Sequence, residues 1–242
     1  MRVSFLTYNI HKGIGNDRLF RLERILETLR EADADIIALQ EVDQYAPRSR
    51  TQDLARVLAE ELGMAYNLGL NVKLSKGAYG NATLSRFPIK ESRNLNITWG
   101  IKKRRGCLVS RIILPVGDIA VFNFHLGLAA FERMWQVRKI LQSPSHDSMR
   151  NLPTIILGDG NDRRHKLNAL FLQAGYPDTC TENSRANNTF PSYAPLFRLD
   201  KVFASKHWKV NHHHVIRTKV TRVASDHFPL NVVLQLDRKR RK

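Results

Sequence analysis

The residues able to do chemistry gather at the ends of short apolar runs. Asn9-Ile10-His11-Lys12-Gly13 follows the run at 3–8, and Gln40-Glu41 follows the run at 35–39. His125 follows 119–124, and Gly158-Asp159-Gly160-Asn161-Asp162 follows 154–157. Asp200 opens the run at 201–204, and Asp226-His227-Phe228-Pro229 opens the last, at 230–236. A lone aspartate after a strand is ordinarily a turn residue or a helix cap. Repetition gives these groups their weight: strands lying side by side would bring the polar ends to one edge, on supports rigid enough for a reactive geometry. Carboxylates from Glu41 and Asp226, with an amide oxygen from Asn9, suit a hard cation such as Mg²⁺ or Mn²⁺. Phosphate-ester hydrolysis needs such an ion, a base for water and donors for the developing charge. Competing chemistries lack their signatures: there is no His-Glu-x-x-His zinc spacing, no Gly-x-x-x-x-Gly-Lys-[Ser/Thr] loop and no Gly-x-Ser-x-Gly elbow.

The elements that must position these residues are legible as alternating strand and helix patterns. Runs at 3–8, 35–39, 82–85, 108–114, 119–124, 154–157, 201–204 and 230–236 have strand character, several of them rich in Val, Ile and Phe. Leu19, Leu22, Ile25, Leu26 and Leu29 recur at helical steps, predicting a helix over 18–31 with Asn16 or Asp17 as its cap. Leu54, Val57, Leu58 and Leu62 make a second stripe, stopped by Gly63. Phe131, Met134, Val137, Ile140 and Leu141 make a third. Many strands with a few outer helices predict an α/β layered sandwich. The 242 residues show no repeat, low-complexity tract or linker, so a single domain over 1–236 is expected, with a basic tail at 237–242. Hydrophobic residues at 43% and charged residues at 25% are globular proportions. Lys and Arg number 39 against 22 Asp and Glu, and the resulting +17 attracts polyanions: nucleic acid, an anionic membrane surface or phosphorylated metabolites. Only Cys107 and Cys180 occur, which excludes a disulfide scaffold and a four-cysteine zinc site. With neither a signal peptide nor a membrane-length apolar run, a cytoplasmic protein is expected.

Taken in order, Thr7-Tyr8-Asn9, Leu39-Gln40-Glu41-Val42, Asn123-Phe124-His125-Leu126, Gly158-Asp159-Gly160-Asn161, Arg198-Leu199-Asp200 and Ser225-Asp226-His227-Phe228-Pro229 resemble the endonuclease/exonuclease/phosphatase superfamily related to DNase I. The resemblance spans residues 3–236, and the Asn-Ile-His-Lys-Gly opening is similar to a small bacterial branch. It implies a four-layered fold: two packed mixed sheets with helices outside. It also implies roles. Glu41 would bind an essential Mg²⁺, supported by Asn9, and Asp226 would add a metal contact. Asp159 would position or deprotonate the attacking water, Asn161 would donate to the scissile phosphate, and His125 and His227 would stabilise its charge. Asp200 would orient His227 through the ring nitrogen turned away from phosphate, which fixes the tautomer and favours imidazolium.

The chain departs from the family pattern at two places. Relatives often carry an aspartate where His11 stands, so a negative charge is missing from the metal site while a contact to metal or phosphate stays open to the imidazole. Gly160 replaces a residue that is usually aromatic or bulky, which would loosen the loop or reflect different packing behind it. Arg86, Lys102, Lys103, Arg104, Arg105 and Arg163 are candidate phosphate contacts; Ser85-Arg86-Phe87-Pro88 also reads as a structural turn and the run at 102–105 as a solvated hairpin tip. Trp99 could stack on a base. Asp162 could cap a helix, and Arg164 could reach phosphate. His212-His213-His214 reads as surface, since neighbours in a strand point to opposite faces. The expectation is a monomeric Mg²⁺- or Mn²⁺-dependent phosphodiesterase, with nucleic acid as leading substrate. Phospholipid or a small phosphodiester is the alternative, as is a silent polyanion-binding module.

Overall fold

Odd and even positions of the central strands face different cores, and this alternation builds the layers. A computed structural model describes residues 1–182 and 184–237; within the expected basic tail, 238–242 lie outside the described residues. One sheet holds β1 (Arg2–Asn9), β2 (Ile36–Gln44), β3 (Ala65–Lys73), β4 (Ala78–Ser85), β10 (Trp208–Val215) and β11 (Leu230–Leu236), in the order β10-β11-β1-β2-β4-β3. The other holds β5 (Ile89–Asn96), β6 (Gly106–Leu114), β7 (Gly117–His125), β8 (Thr154–Asp159) and β9 (Asp200–Ala204), in that order. Val3, Phe5, Ile36 and Val232 pack between the sheets against Ile119, Val121, Ile155 and Val202. Their neighbours Leu6, Ile37, Leu39 and Leu84 face outward onto α1 (Leu22–Ala32) and α2 (Leu54–Leu62). On the far side, Phe122, Phe124, Ile156 and Phe203 meet α3 (Ala130–Leu141) and α5 (Leu167–Gln173). Short helices α4 (Pro144–Met149) and α6 (Thr221–Ala224) complete the shell. The result is the expected four-layered sandwich of two mixed sheets with helices outside.

Pairing explains why the polar ends converge. β1 and β2 run parallel with Asn9 opposite Gln40, and β7 and β8 run parallel with His125 opposite Asp159. β9 runs against β8, so its first residue, Asp200, sits opposite Asp159. β11 runs against β1 with Leu230 opposite Thr7, which brings the preceding segment to the same edge.

Several elements differ from the sequence expectation. The unforeseen strands β3, β5 and β10 are all sheet edges, where one side is solvated and apolar alternation is weak. The first helix begins at Leu22, not 18, because a bridge between Ile14 and Phe20 closes the preceding segment into a loop. Neither Asn16 nor Asp17 caps it: Asn16 bonds to Ser192 and Arg222, and Asp17 pairs with Arg24. Gly63 ends α2 as expected, in the left-handed conformation. Phe131 on α3 faces solvent instead of core. In β10, His212 and His214 are exposed, while His213 turns inward and its Nδ1 meets Thr179 Oγ1 at 3.0 Å.

Buried amides join the two sheets directly beneath the convergent edge. Asn123 of β7 donates to Leu39 O (3.1 Å) and Ala82 O (2.8 Å) and accepts from Gln40 Nε2 (2.8 Å). Asn81 of β4 returns the contact, donating to Asn123 O at 3.1 Å. Buried polar groups left without partners cost about 1–3 kcal/mol each. Asn123→Leu keeps the volume and strands two carbonyls and an amide, so urea unfolding should show a loss of about 3 kcal/mol or more. A loss below about 1 kcal/mol would mean that packing alone joins the sheets.

Candidate active site

Local backbone distortions aim the side chains. In β2 the pairing slips between Leu39 and Val42, and Glu41 adopts φ 56°, so this bulge turns its carboxylate into the cleft. A tight turn at His11–Gly13 follows β1, with Lys12 at φ 64°. The turn places the Lys12 ammonium directly on Glu41 Oε2 as an ion pair. Gly158, at φ 144°, passes so close to β7 that a Cβ would lie 1.9 Å from Phe124 O; only glycine allows the approach that puts Asp159 beside His125.

Asp159 is the centre of the cluster and is 1% exposed. Asn9 Nδ2 donates to its Oδ2 at 3.0 Å, and the Asn161 backbone N–H donates to its Oδ1 at 2.9 Å. His125 Nε2 lies 3.4 Å and His227 Nε2 3.7 Å from the same Oδ2. The opposite ring nitrogen of His227, Nδ1, is 2.8 Å from Asp200 Oδ2. Phe190 covers the His227 ring at 4.8 Å between centroids. Ser225 Oγ donates to Asn9 O at 2.7 Å and accepts from His227 N at 3.2 Å, tying the last motif to the first.

The two histidines carry opposite protonation preferences. Burial opposes charge on His227, but the Asp200, Asp159 and Asp226 carboxylates outweigh it and push its pKa up to about 10. Burial and then Arg105 hold His125 well below the ordinary histidine range, as a neutral imidazole. Burial raises Asp159, with Asp200 adding to the effect, against lowering by His227 and the donors from Asn161 and Asn9. Burial also opposes ionisation of Glu41, yet His125, Lys12 and Lys103 bring its pKa down to about 2. Near pH 7, with His125 neutral, the Lys12 and Lys103 ammonium groups are the charges that remain among these.

All these groups open into one cleft of about 620 Å³. Asn9, His11, Glu41, His125, Asp159, Asn161, Asp226 and His227 line it, with Asp200 buried behind His227. His11 Nδ1 is held by Ile14 O at 2.9 Å. Asn161 sits at φ 50°, and its Nδ2 donates to Leu126 O at 2.9 Å. Among the candidate phosphate contacts, Lys103, Arg105 and Arg163 reach the cleft, Arg163 against the Phe197 ring at 4.6 Å. Arg105 is buried, so the run at 102–105 is not uniformly a solvated tip. Arg104 borders a small recess beside Glu41, and Lys102 points to solvent. Arg86 does not reach the cleft: it pairs with Asp33 and Asp35 at the α1–β2 turn, so its place is structural.

The loop at Gly160 is tied by its backbone. Its N–H donates to Leu199 O at 2.9 Å, and a side chain there would meet Leu199 O at 3.3 Å and Leu167 Cδ1 at 3.6 Å. A Cβ would therefore meet one slightly tight contact and otherwise ordinary packing. Asp162 accepts from Leu167 N at 2.9 Å at the start of α5, as a cap. Lys12, Arg133 and Lys166 were not singled out from sequence, though each faces the site, as does Arg164. Lys12 sits inside the Asn-Ile-His-Lys-Gly opening and had that signal; Arg133 and Lys166 had none, because helix and loop packing alone orients them.

The donor set fits a hard divalent cation. Glu41 offers an ionised carboxylate, Asp226 and Asn9 add oxygens in the same cleft, and Glu41 already carries a cation in the Lys12 ammonium. Ligand atoms of Asp159, Asp200 and His227 also lie within 4.8 Å of one another. His227 Nδ1 in that trio already faces Asp200 Oδ2 at 2.8 Å.

The His227 charge should stabilise the fold fully below the ordinary histidine value of 6.5, and that contribution should be lost as pH rises through about 10. Asp200→Asn should move the His227 ring titration to lower pH, read by two-dimensional ring ¹⁵N–¹H NMR. An unmoved titration would break the proposed coupling.

Residues 6–227 match the model of the Endonuclease/Exonuclease/phosphatase family. A protein of Escherichia coli (strain K12) described as uncharacterized protein YbhP is 32% identical over 247 residues, spanning 96% of this chain and 95% of its own. The fold is similar to that of an endonuclease/exonuclease/phosphatase from Beutenbergia cavernae, with TM-score 0.83 and 23% identity over 98% of this chain and 72% of that one. It is also similar to a mannosyl-6-phosphatase from Bacteroides thetaiotaomicron, with TM-score 0.75 and 20% identity over 97% of this chain and 100% of that one. Sequence and fold together place this chain in the endonuclease/exonuclease/phosphatase family.

Proposed function

We propose that this protein hydrolyses phosphodiester bonds by attack of a water activated at Asp159. The observation that carries the reading is the buried Asp159 carboxylate set between a neutral His125 and a charged His227, itself held by Asp200. Burial raises the basicity of Asp159, as a base for water requires. Asn9 and the Asn161 N–H fix its orientation, so the lone pair that takes the proton is already aimed. His227 presents a fixed positive charge where negative charge grows on the phosphate, and Asn161 and His125 act as further donors. Lys103, Arg105, Arg133 and Arg163 line the walls and favour an anionic substrate. Glu41, Asp226 and Asn9 would hold Mg²⁺ or Mn²⁺. Such an ion, when bound, neutralises non-bridging phosphate oxygens. His11 borders the same cleft as a contact to phosphate. We treat residues 1–236 as one catalytic domain, supported by the continuous inter-sheet core from Val3 to Leu236.

Charge favours nucleic acid as substrate. A specific observation favours phospholipid as a second reading: Leu128, an exposed aliphatic residue, lines the cleft mouth. The neighbour named as a mannosyl-6-phosphatase keeps monoesters among the substrates to test. A silent binding module would not need a base, an oriented imidazolium and an ionised oxygen ligand converging on one point.

The test is a hydrolysis panel of DNA, RNA, a chromogenic phosphodiester, a phosphomonoester and a lysophospholipid diester, each with Mg²⁺, Mn²⁺ or EDTA. Turnover should require metal and fall by at least about 100-fold in Asp159→Asn and His227→Ala, with thermal unfolding retained. Full activity in either variant would remove its proposed role. Glu41→Gln should weaken Mn²⁺ binding, read by calorimetry without substrate; equal affinity would remove Glu41 from the metal site.

A further inference from the structure

One apolar ridge of this protein faces solvent beside the cleft. Ile101 is 103% exposed, Leu128 75%, Phe131 57% and Trp99 36%. They belong to one surface. Trp99 packs edge-on against Phe131 at 6.0 Å and against Trp135 at 4.9 Å, which joins the loop between β5 and β6 to the start of α3. A turn closed by Lys102 N–H on Trp99 O at 3.0 Å pushes Ile101 outward at its tip. Leu128 lines the cleft together with Lys103 and Arg105, so the ridge is part of the cleft's rim. Exposed apolar side chains grouped in this way mark a surface that meets an apolar partner.

The chemistry selects that partner. The ridge projects, so its partner must deform around it or already offer an apolar interior beneath a polar surface. Lys102, Lys103 and Arg104 follow Ile101 directly and are exposed, and Lys139 lies over the Trp135 ring at 4.8 Å. An aliphatic tip, indole rings at its base and basic residues around it match the layers of an anionic bilayer: acyl chains, interface and headgroups. Nucleic acid would use the bases' π-faces and the phosphates, and it offers nothing to Ile101 and Leu128. We infer that the ridge formed by Trp99, Ile101, Leu128 and Phe131 inserts into the interface of an anionic lipid bilayer and seats the cleft mouth over the headgroups. Docking stands independently of the catalytic reading; only its consequence, that lipid phosphodiesters reach the cleft, rests on it.

The full chain would be mixed with vesicles of phosphatidylcholine alone, or of phosphatidylcholine with an equal amount of phosphatidylglycerol. It should sediment with the second, and acyl-chain-brominated lipid should quench its tryptophan fluorescence. Trp99→Phe should lose most of that quenching. Ile101→Ser with Leu128→Ser leaves the charge unchanged and should weaken vesicle binding at least about tenfold while DNA binding holds. Asp159→Asn should bind vesicles as the parent does, and a parent protein that docks on vesicles but hydrolyses nothing in the panel would count against the catalytic reading alone. Unchanged vesicle binding in the double variant, or binding without quenching, would overturn insertion and leave adsorption by charge. An equal loss of DNA binding in the double variant would put nucleic acid on the ridge and overturn the lipid assignment.

Discussion

A carboxylate taken out of water must be compensated at once, and Asp159 imposes that demand on the whole fold. An isolated buried carboxylate costs several kcal/mol, so it survives only with donors and opposite charge in place. Those partners come from separate parts of the chain: Asn9 from β1, His125 from β7, the Asn161 N–H from the loop after β8, and His227 from the segment before β11. No single element satisfies Asp159. Both sheets must therefore be in place before the buried carboxylate is compensated.

The two sheets meet this demand through register. Parallel pairing in β1–β2 and β7–β8 sends both pairs of strand ends in one direction, and antiparallel β9 and β11 contribute their first residues there. The amide contacts of Asn123, Gln40 and Asn81 prevent the sheets from sliding just below the cleft. Hydrophobic packing between the sheets supplies most of the attraction, but apolar surfaces tolerate small slips. Directional bonds between buried amides do not.

Much of this was legible in the sequence because strand ends announce themselves. A run of β-branched and aromatic residues followed by Asn9, Glu41, His125 or Asp159 reveals both an element and the group it holds. Central strands are buried on both faces and read clearly; β3, β5 and β10 lie at edges and do not. Arg86 shows the reverse problem, since its basic side chain pairs with Asp33 and Asp35 away from the cleft. Arg133 depends on the rotation of α3, which an apolar stripe fixes only coarsely, as the outward Phe131 also shows.

The left-handed backbone at His11, Lys12, Glu41 and Asn161 has a further consequence. A residue with a side chain costs roughly 1–2 kcal/mol in that region, and glycine avoids most of it. These strained positions all lie in or beside the cleft. Selection for thermal resilience alone would replace them with glycine and erase the polar groups they present. Stability and the presentation of these polar groups therefore pull in opposite directions at the same residues.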